Sequence, residues 1–232
     1  MGAAAIRTSG LTKDYGGGRG VFDLDLQVSA GQAFGLLGLD GAGKTTALRL
    51  LMGMIHPSRG SAYVFGIDCF RDATEVKRRV GYMPGKSPDF GSMRGGEIVA
   101  YLAGLRGGVH GDRVRELAER VELDLGREHL EYSPGERRRL SVLLAFMHEP
   151  DLLILDEPYR DLDERGTGEL KALIDEARDD GATILLASPT AAEIEWHCDA
   201  VGLLRRGKLA RAGRVEDLPA QLEESDRKAL PP

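Results

Sequence analysis

Alternating apolar and polar side chains mark the first part of this chain. Residues 4–8 and 21–28 alternate in this way, which is typical of strands in an antiparallel sheet with one face in water. Later apolar runs are continuous instead: Ala33–Leu37, Leu152–Leu155 and Thr183–Ala187 have the composition of strands buried on both faces. The two patterns predict an N-terminal antiparallel β subdomain followed by a mostly parallel sheet.

A loop and two amphipathic segments interrupt the strand pattern in the middle of the chain. Residues 84–96 are rich in Pro, Gly and Ser and are predicted to form a loop. The segments Glu97–Arg106 and Asp112–Leu123 follow with helical periodicity. We therefore interpret residues 86–147 as an α-helical subdomain inserted into an α/β core.

Strands and helices alternate through the rest of the chain. Helices are predicted at 72–79, 164–178, 191–197 and 215–221, short strands at 63–65, 79–83, 200–204 and 208–211, and a turn at 58–60. Alternation of this kind implies a mostly parallel sheet with helices on both faces, the α/β class. We expect one domain over residues 1–222 and a polar, disordered tail over 223–232.

Composition narrows the possible environments and partners. The net charge of −6 and the pI near 5.5 argue against a nucleic-acid-binding surface. No apolar stretch approaches the roughly 20 residues of a membrane-spanning helix, and the N-terminus lacks the features of a signal peptide. Two isolated cysteines fit a reduced compartment. These features predict a cytoplasmic chain that would owe any membrane association to a partner.

A glycine-rich loop follows the first buried strand. Its residues are Gly38, Leu39, Asp40, Gly41, Ala42, Gly43, Lys44, Thr45 and Thr46, which fit G-x-x-x-x-G-K-[ST] between a predicted strand and a predicted helix. Glycines let backbone N–H groups turn around phosphate oxygens, and the helix N-terminus adds a positive dipole end. Lys44 is expected to reach the β- and γ-phosphates, and the Thr45 hydroxyl to bind Mg²⁺. The loop therefore predicts ATP binding of the P-loop NTPase type.

Two acids end the buried strand at Leu152–Leu155. Asp156 is expected to hold Mg²⁺ beside Thr45. Glu157 comes next, at the strand end where ligands bind in open α/β sheets, and is the candidate base for the attacking water. An ordinary solvated strand end is the alternative, but the upstream P-loop favours the catalytic interpretation.

Further motifs stand in the order found in one protein family. They are Arg79–Pro84, Tyr132–Leu140, Leu152–Pro158, Leu162-Asp163, Cys198-Asp199 and Arg205–Leu209. With the P-loop, they make residues 5–222 resemble the ATP-binding subunit of an ABC transporter, most closely the drug- and antibiotic-exporter branch. The resemblance implies hydrolysis of ATP with Mg²⁺, coupled to the movement of a separate integral-membrane permease.

The resemblance also implies roles for individual residues. Tyr15 stands where the family stacks the adenine, although a loop aromatic packed on the sheet is the alternative. Ser133, Gly135 and Glu136 occupy the signature loop, which in this family contacts the ATP of a second ATP-binding subunit. A homodimer or heterodimer is therefore implied. The helical subdomain and the 84–96 loop are expected to contact the permease, which would hold the chain on the inner face of the membrane.

Several positions depart from the family pattern. Gly85 stands where a glutamine is usual, and Pro189 where a histidine is usual. In the signature loop, Pro134 and Glu136 replace the usual glycine and glutamine. Ser133, Pro134 and Glu136 still predict a good N-terminal capping box for the following helix. However, Glu136 adds a negative charge near an incoming γ-phosphate, which is expected to weaken ATP-dependent closure.

These departures leave three hypotheses open. The first is a hydrolysing ATPase subunit of an exporter. The second is an attenuated or non-hydrolysing nucleotide-binding partner in a heterodimeric ABC complex. The third, a P-loop ATPase acting on nucleic acid or in protein assembly, is disfavoured by the acidic charge.

Smaller features carry expectations of their own. Arg137–Arg139 is interpreted as a solvated helix face, Trp196 as core or subdomain packing, and His197 as a partly buried helix histidine. Asp40 either weakens ATP binding through its charge or accepts backbone hydrogen bonds within its own loop. Arg160-Asp161 replaces the small residues that are usual at this point of the family.

Overall fold

The structure is a computed structural model that describes residues 4–217. In chain order, its strands are β1 (Ala4–Asp14), β2 (Gly20–Leu24), β3 (Gln27–Ser29), β4 (Ala33–Leu37), β5 (Arg59–Val64), β6 (Ile67–Asp68), β7 (Val80–Met83), β8 (Leu152–Asp156), β9 (Thr183–Ser188), β10 (Ala200–Arg205) and β11 (Lys208–Arg214). Its helices are α1 (Lys44–Leu51), α2 (Ala73–Arg79), α3 (Gly95–Leu105), α4 (Gly111–Arg120), α5 (Pro134–Phe146), α6 (Glu164–Asp179) and α7 (Ala191–His197).

The predicted antiparallel subdomain is confirmed. Strand β1 pairs antiparallel with β2, β3 and β5, and β5 pairs with β6. Along β1, Ile6 and Thr8 are buried whereas Arg7 and Ser9 are exposed, which is the predicted alternation. The segment at 21–28 forms two strands rather than one, and between them the Asp25 carboxylate accepts a 2.6 Å hydrogen bond from the Gly10 N–H.

The second sheet has the predicted mostly parallel topology. Within the described residues its order is β11-β10-β4-β9-β8-β7, and only the β10–β11 pair is antiparallel. All residues of β4, β8 and β9 are buried, as their continuous apolar runs predict. These three neighbouring strands therefore place their carboxyl ends side by side at one edge of the sheet.

Helices α3, α4 and α5 form the inserted helical segment. Leu117 and Val121 are buried, and Val114 and Ala118 pack against the same core cluster, so the predicted apolar face of α4 is confirmed. Residues 84–94 connect β7 to α3 without regular structure. Helix α5 is buried along most of its length, which fixes the signature segment against the core.

Two predictions about local structure change. The turn predicted at 58–60 is wrong for Arg59 and Gly60, which lie in β5; Gly60 has φ +83°, and a Cβ there would lie 2.3 Å from the Gly10 carbonyl oxygen. Of the helix predicted at 215–221, the structure describes a 3₁₀ turn at Val215–Asp217. The remainder of that helix and the tail predicted at 223–232 lie outside the described residues.

The described helices also bear on the membrane question. Across residues 4–217, none of them combines the length and apolar character that crossing a bilayer requires.

The two cysteines form no disulfide bond. Cys69 and Cys198 are both buried and free.

Candidate functional site

Three strand ends bring the predicted site residues together. Leu37 of β4 lies opposite Ser188 of β9, and Asp156 of β8 lies opposite Ala187 of β9. The P-loop leaves β4, Glu157 follows β8, and Pro189 follows β9. Residues far apart in sequence thus meet at one edge of the parallel sheet, the usual ligand-binding edge of open α/β sheets.

The P-loop has backbone conformations that require glycine. Gly41 has φ +77° and Gly43 has φ +108°. A Cβ on Gly43 would lie 2.7 Å from the Gly20 carbonyl oxygen, so a side chain does not fit there. Helix α1 begins directly after Gly43, and its first N–H groups therefore face the loop. This arrangement suits a bound phosphate chain.

Lys44 is buried inside its own loop. Its Nζ donates to the carbonyl oxygen of Gly38 at 2.5 Å and to that of Leu39 at 3.3 Å, and lies 3.5 Å from Glu157 Oε1. The ammonium group is therefore held inside the loop by two carbonyl oxygens and by the opposite charge of Glu157. A phosphate that enters the loop would contact this cation.

Thr45 and Asp156, the two predicted metal ligands, touch each other. The Thr45 hydroxyl donates to Asp156 Oδ2 at 2.8 Å, while Asp156 Oδ1 is buried and has no hydrogen-bond partner among the described residues. A hydroxyl beside a carboxylate with a free oxygen is a donor set that suits Mg²⁺, a hard cation that takes few protein ligands besides phosphates. Burial raises the pKa of Asp156, and the Thr45 hydrogen bond opposes that effect.

Gly85 lies directly against Asp156. A Cβ at this position would be 3.1 Å from Asp156 Oδ2, and the Gly85 backbone N–H lowers the pKa of Asp156. The backbone at the position of the missing glutamine therefore lies against the carboxylate that is predicted to bind the metal. A larger residue would crowd this contact.

Glu157 is held in a left-handed backbone conformation with φ +46°. Its N–H donates to the Ala187 carbonyl oxygen at 2.8 Å, which ties it to the next strand. Its carboxylate lies between two cations, 3.5 Å from Lys44 Nζ and 3.2 Å from Arg160. Non-glycine residues with such φ values cluster at functional sites, which agrees with the predicted role as base.

A cleft of about 570 Å³ opens over these strand ends. It is lined by Leu39, Asp40, Glu157, Tyr159, Arg160, Pro189 and Glu193. Asp40 is exposed, so its charge is placed to meet a nucleotide. Arg160, one of the residues unusual for the family, turns back towards Glu157. The cleft therefore combines three carboxylates with a single arginine.

The signature segment begins α5 with the predicted capping box. The Ser133 side chain accepts from the Glu136 N–H at 3.2 Å, and the Ser133 N–H donates to the Glu136 carboxylate at 2.8 Å. The Glu136 carboxylate also contacts the Arg127 guanidinium. The Ser133 N–H, the Ser133 hydroxyl and Arg127 all lower the pKa of Glu136. The carboxylate predicted to repel an ATP thus already has an arginine partner.

The interpretation of Arg137–Arg139 as a solvated face is wrong. Arg138 is only 1% exposed, and its guanidinium donates to the carbonyl oxygens of Pro84, Asp156, Glu157 and Pro158. The two flanking arginines are half-buried and donate to Tyr132, Leu130 and Asp163. Orphan carbonyl groups where the chain leaves β7 and β8 need donors, and a guanidinium supplies several at once.

The predictions for three ring-bearing side chains, Trp196, His197 and Tyr15, differ in outcome. Trp196 is 44% exposed, so its predicted place in the core is wrong, but its ring packs edge-on against Tyr159, with 5.4 Å between the ring centres, and Lys171 Nζ lies 3.4 Å from its ring centre. The predicted burial of His197 is confirmed; it contacts the Tyr159 hydroxyl, and its Nδ1 lies 3.1 Å from Asp175. Tyr15 is 48% exposed, and its adenine-stacking role stays a prediction.

Sequence reasoning missed Arg138 and Glu193. Arg138 stands in a run of three arginines that begins a helix with a long apolar continuation, and one member of such a run must turn inwards. Glu193 follows Pro189 by four residues, which is one turn of the helix that begins at Ala191. The spacing was available in the sequence, but the direction of the side chain was not.

Known proteins resemble this chain along nearly its whole length. A family model described as ABC transporter matches residues 21–160. The bacitracin transport ATP-binding protein of Bacillus licheniformis is 35% identical over 229 residues, covering 97% of this chain and 73% of that protein. The daunorubicin/doxorubicin resistance ATP-binding protein of Streptomyces peucetius is 34% identical over 223 residues, covering 94% and 68%.

Solved structures share the fold described above. One, described as the ATP-binding subunit of an ABC transporter, superposes with a TM-score of 0.85 at 25% identity and covers 94% of this chain and 92% of its own. A dimeric ATP-binding cassette in a post-hydrolysis state, bound to ADP and Pi, superposes with a TM-score of 0.79 at 19% identity and covers 90% and 98%.

Proposed function

This chain belongs to the ABC transporter family as an ATP-binding subunit, and from that premise we propose that it hydrolyses Mg-ATP and moves a separate permease of an exporter. The export direction rests on relatives that bear the names of bacitracin transport and daunorubicin/doxorubicin resistance proteins. Residues 1–222 would act as one ATP-binding unit, with the helical subdomain at 86–147 inserted. No nucleic-acid partner is expected, given the net charge of −6.

One observation carries the proposal: Thr45, Asp156 and Glu157 meet beneath the P-loop. The 2.8 Å contact between Thr45 and Asp156 and the unpartnered Asp156 Oδ1 provide the protein side of a Mg²⁺ site. When bound, Mg²⁺ neutralises charge on the phosphates. Lys44 would exchange its carbonyl partners for phosphate oxygens, since both are acceptors for the same ammonium. Glu157 would then lose the Lys44 contact and be available to orient water.

A second ATP-binding subunit completes the proposed site. The solved dimeric cassette with ADP and Pi supports dimerisation of this fold. In the proposed dimer, Ser133 and Gly135 of one subunit would face the nucleotide held by the P-loop of the other. Both residues lie at the exposed start of α5, where Ser133 is exposed and Gly135 is half-buried. Nucleotide contact by Tyr15 and by Gly38–Thr46 belongs to the same proposal.

An apolar groove of about 600 Å³ is the proposed contact for the permease. Its apolar lining includes Met54, Phe90 and Leu105. Of these side chains, Met54 is 47% exposed and Leu105 is 59% exposed. Its charged lining is basic, with Arg49, Lys77, Arg78 and Arg106, and no carboxylate of the described residues lines it. We therefore infer that the permease segment is an amphipathic helix with acidic side chains. Docking there would hold the chain at the inner face of the membrane.

An attenuated, non-hydrolysing partner in a heterodimer is the second candidate. Pro189 favours it, because proline in the cleft supplies no side-chain group that could donate or shuttle a proton. Gly85 favours it too, because no side chain reaches the attacking water from that position. The retained Lys44, Asp156 and Glu157 favour the hydrolysing subunit.

Hydrolysis by the purified chain separates the two candidates. We expect a Mg-ATPase rate that falls at least about 100-fold in Glu157→Gln, the usual range for a positioned acid–base group. Lys44→Ala should abolish ATP binding. Tight ATP binding that Lys44→Ala removes, together with no turnover by wild type, would establish the attenuated partner instead.

Co-purification with a permease tests the transporter role. The adjacent genes should encode a polytopic membrane protein, and its tagged form should retain this chain. Met54→Asp should weaken retention at least tenfold, because it replaces an apolar contact with a carboxylate where the proposed acidic helix docks. Tyr101→Asp is the matched control, since Tyr101 is exposed on α3 and does not line the groove. Equal retention of both variants would remove the groove from the interface.

A further inference from the structure

Pro189 leaves the end of β9 without a polar side chain at the cleft. Proline also lacks a backbone N–H. The neighbouring strands are different in this respect: β8 ends at Asp156 and is followed by Glu157, and β4 leads through the P-loop to Lys44 at the start of α1. The β9 end therefore depends on another residue if it is to contact a phosphate chain in the cleft.

Glu193 occupies that end of β9 from one helical turn away. It lines the cleft together with Glu157 and Asp40. Its Oε2 lies 2.7 Å from the Oγ of Ser188, the last residue of β9, which is wholly buried. Glu195, on the same short helix, is exposed and does not line the cleft. Glu193 is thus folded back over the strand end while its neighbour points to solvent.

Ser188 fixes the direction of this carboxyl group. The Ser188 Oγ accepts a 2.8 Å hydrogen bond from the Thr190 N–H. Its own hydrogen has two acceptors within reach, the Thr190 carbonyl oxygen at 3.3 Å and Glu193 Oε2 at 2.7 Å, and the contact with Glu193 is the shorter one. The resulting bond holds one carboxyl oxygen against β9. The other oxygen has no hydrogen bond within the described residues and belongs to a side chain that lines the cleft.

Charged groups of both signs surround Glu193. Asp40 and Lys44 come from the P-loop, Glu157 and Arg160 from the segment after β8, and Arg138 from α5. Burial is the main cause that raises the pKa of Glu193, and the charge of Glu157 adds to it. The Ser188 hydrogen bond, Arg138 and Lys44 oppose that shift, which remains upward. A carboxyl group of this kind keeps its proton to a higher pH than an exposed glutamate, and the protonated form can donate a hydrogen bond.

We propose that Glu193 contacts the terminal phosphate of bound ATP and, as a carboxylic acid, donates a hydrogen bond to one of its oxygens. The proposal rests on the proposed function, because it needs a nucleotide in the P-loop. No covalent bond to Glu193 forms or breaks. The side chain supplies from α7 the donor that Pro189 does not supply from the end of β9.

Discrimination between ATP and ADP is the property that this contact should control. In the proposed contact, only the terminal phosphate of ATP would reach the β9 end, whereas the P-loop would hold the phosphates common to both nucleotides. A hydrogen bond to a charged group is worth about 1.5–3 kcal/mol. Its loss should therefore weaken ATP binding by roughly 10- to 100-fold and leave ADP binding unchanged.

Titration calorimetry of the full chain with ATP and with ADP tests the proposal directly. We expect Glu193→Ala to weaken ATP binding at least tenfold and to keep ADP binding within twofold of wild type. Glu193→Gln, which retains a donor, should keep most of the ATP affinity. Glu195→Ala, the matched control on the exposed face of α7, should bind both nucleotides like wild type.

A pH series separates a phosphate contact from a merely structural role. The preference of wild type for ATP over ADP should decline as rising pH removes the Glu193 proton, whereas the preference of Glu193→Gln should show no such decline. Pro189→His in the Glu193→Ala background should restore ATP preference, because an imidazole again places a donor at the β9 end.

Other outcomes would overturn the proposal. One is ATP affinity in Glu193→Ala within twofold of wild type; another is equal loss of ATP and ADP binding. If Glu193→Ala does not fold, the pH dependence of the preference for ATP over ADP, compared between Glu193→Gln and wild type, decides the proposal. If wild type binds neither ATP nor ADP, the proposed function is rejected together with the role of Glu193. If wild type binds both nucleotides but Glu193→Ala behaves like wild type, only the role of Glu193 is rejected.

Discussion

The guanidinium of Arg138 donates a hydrogen bond to the backbone carbonyl oxygen of Asp156 at 3.1 Å. Arg138 lies in the signature helix α5, and Asp156 is the last residue of β8 and a predicted metal ligand. The same guanidinium also reaches the carbonyl oxygens of Pro84 and Glu157. One side chain thus joins the signature helix, the loop after β7 and the candidate base.

Replacement of Arg138 should therefore destabilise the fold. Arg138→Met fills similar space but leaves the carbonyl oxygens without donors, and we expect the free energy of unfolding to fall by about 2–4 kcal/mol. Urea denaturation measures this change. Arg115→Met is the matched control, because Arg115 is largely exposed and, among residues 4–217, its ion-pair partner is Asp112 on the same helix. It should change the free energy by less than about 0.5 kcal/mol. Equal effects of both variants would contradict the role of Arg138.

Replacement of Asp156, the predicted metal ligand, should separate Mg²⁺ dependence from nucleotide binding. Asp156→Asn keeps the size of the side chain but removes its charge, so the Mg²⁺ concentration for half-maximal ATPase activity should rise at least tenfold. Binding of ATP in the presence of EDTA should change little, because Lys44 and the loop N–H groups remain. An unchanged Mg²⁺ requirement would show that Asp156 does not hold the metal.

The capping box at Ser133 predicts a stability effect at the signature helix. Glu136→Ala removes the bond to the Ser133 N–H and the contact with Arg127, which should cost about 1 kcal/mol in the free energy of unfolding. Glu136→Gln can still accept from the Ser133 N–H and should lose less than half as much. Thermal unfolding of the three proteins provides the measurement. An equal loss in the glutamine and alanine variants would show that the charge of Glu136, and not the cap, dominates.

His148 predicts a pH dependence of stability. Burial is the main cause that lowers its pKa to about 4, with a contribution from Arg106. An unfolded histidine titrates near about 6.5, so between these values the unfolded chain binds the proton and the folded chain does not. Its contribution to stability is complete above about pH 6.5 and is lost as the pH falls towards 4, by about 3 kcal/mol.

The matched comparison for that effect is His148→Gln. This variant cannot take up the proton, so its free energy of unfolding should decline less steeply than that of wild type between pH 6.5 and 4. Urea denaturation at several pH values gives both slopes. Parallel slopes would mean that His148 protonates equally in the folded and unfolded chains.

The nucleotide-binding half of the site follows from the sequence alone. Strand Ala33–Leu37, the glycine loop and helix α1 are contiguous, so their geometry depends on local propensities and on glycines at positive φ. Asp156 and Glu157 were found for a similar reason, since an apolar run that ends in acids predicts a buried strand and its carboxyl end. The capping box at Ser133 likewise involves residues within one helical turn.

The tertiary structure alone decided which distant groups meet, and in which direction their side chains point. The run of three arginines predicts a solvated helix face, but the carbonyl oxygens that Arg138 meets belong to the end of β8 and to the loop after β7. Trp196 is predicted to pack in the core, yet the helix turns it towards Lys171 at the surface. Glu193 carries no motif, and only the neighbouring end of β9 gives its carboxyl group a place in the cleft. Local sequence fixes an element and its periodicity, whereas burial and hydrogen-bond partners depend on the elements packed beside it.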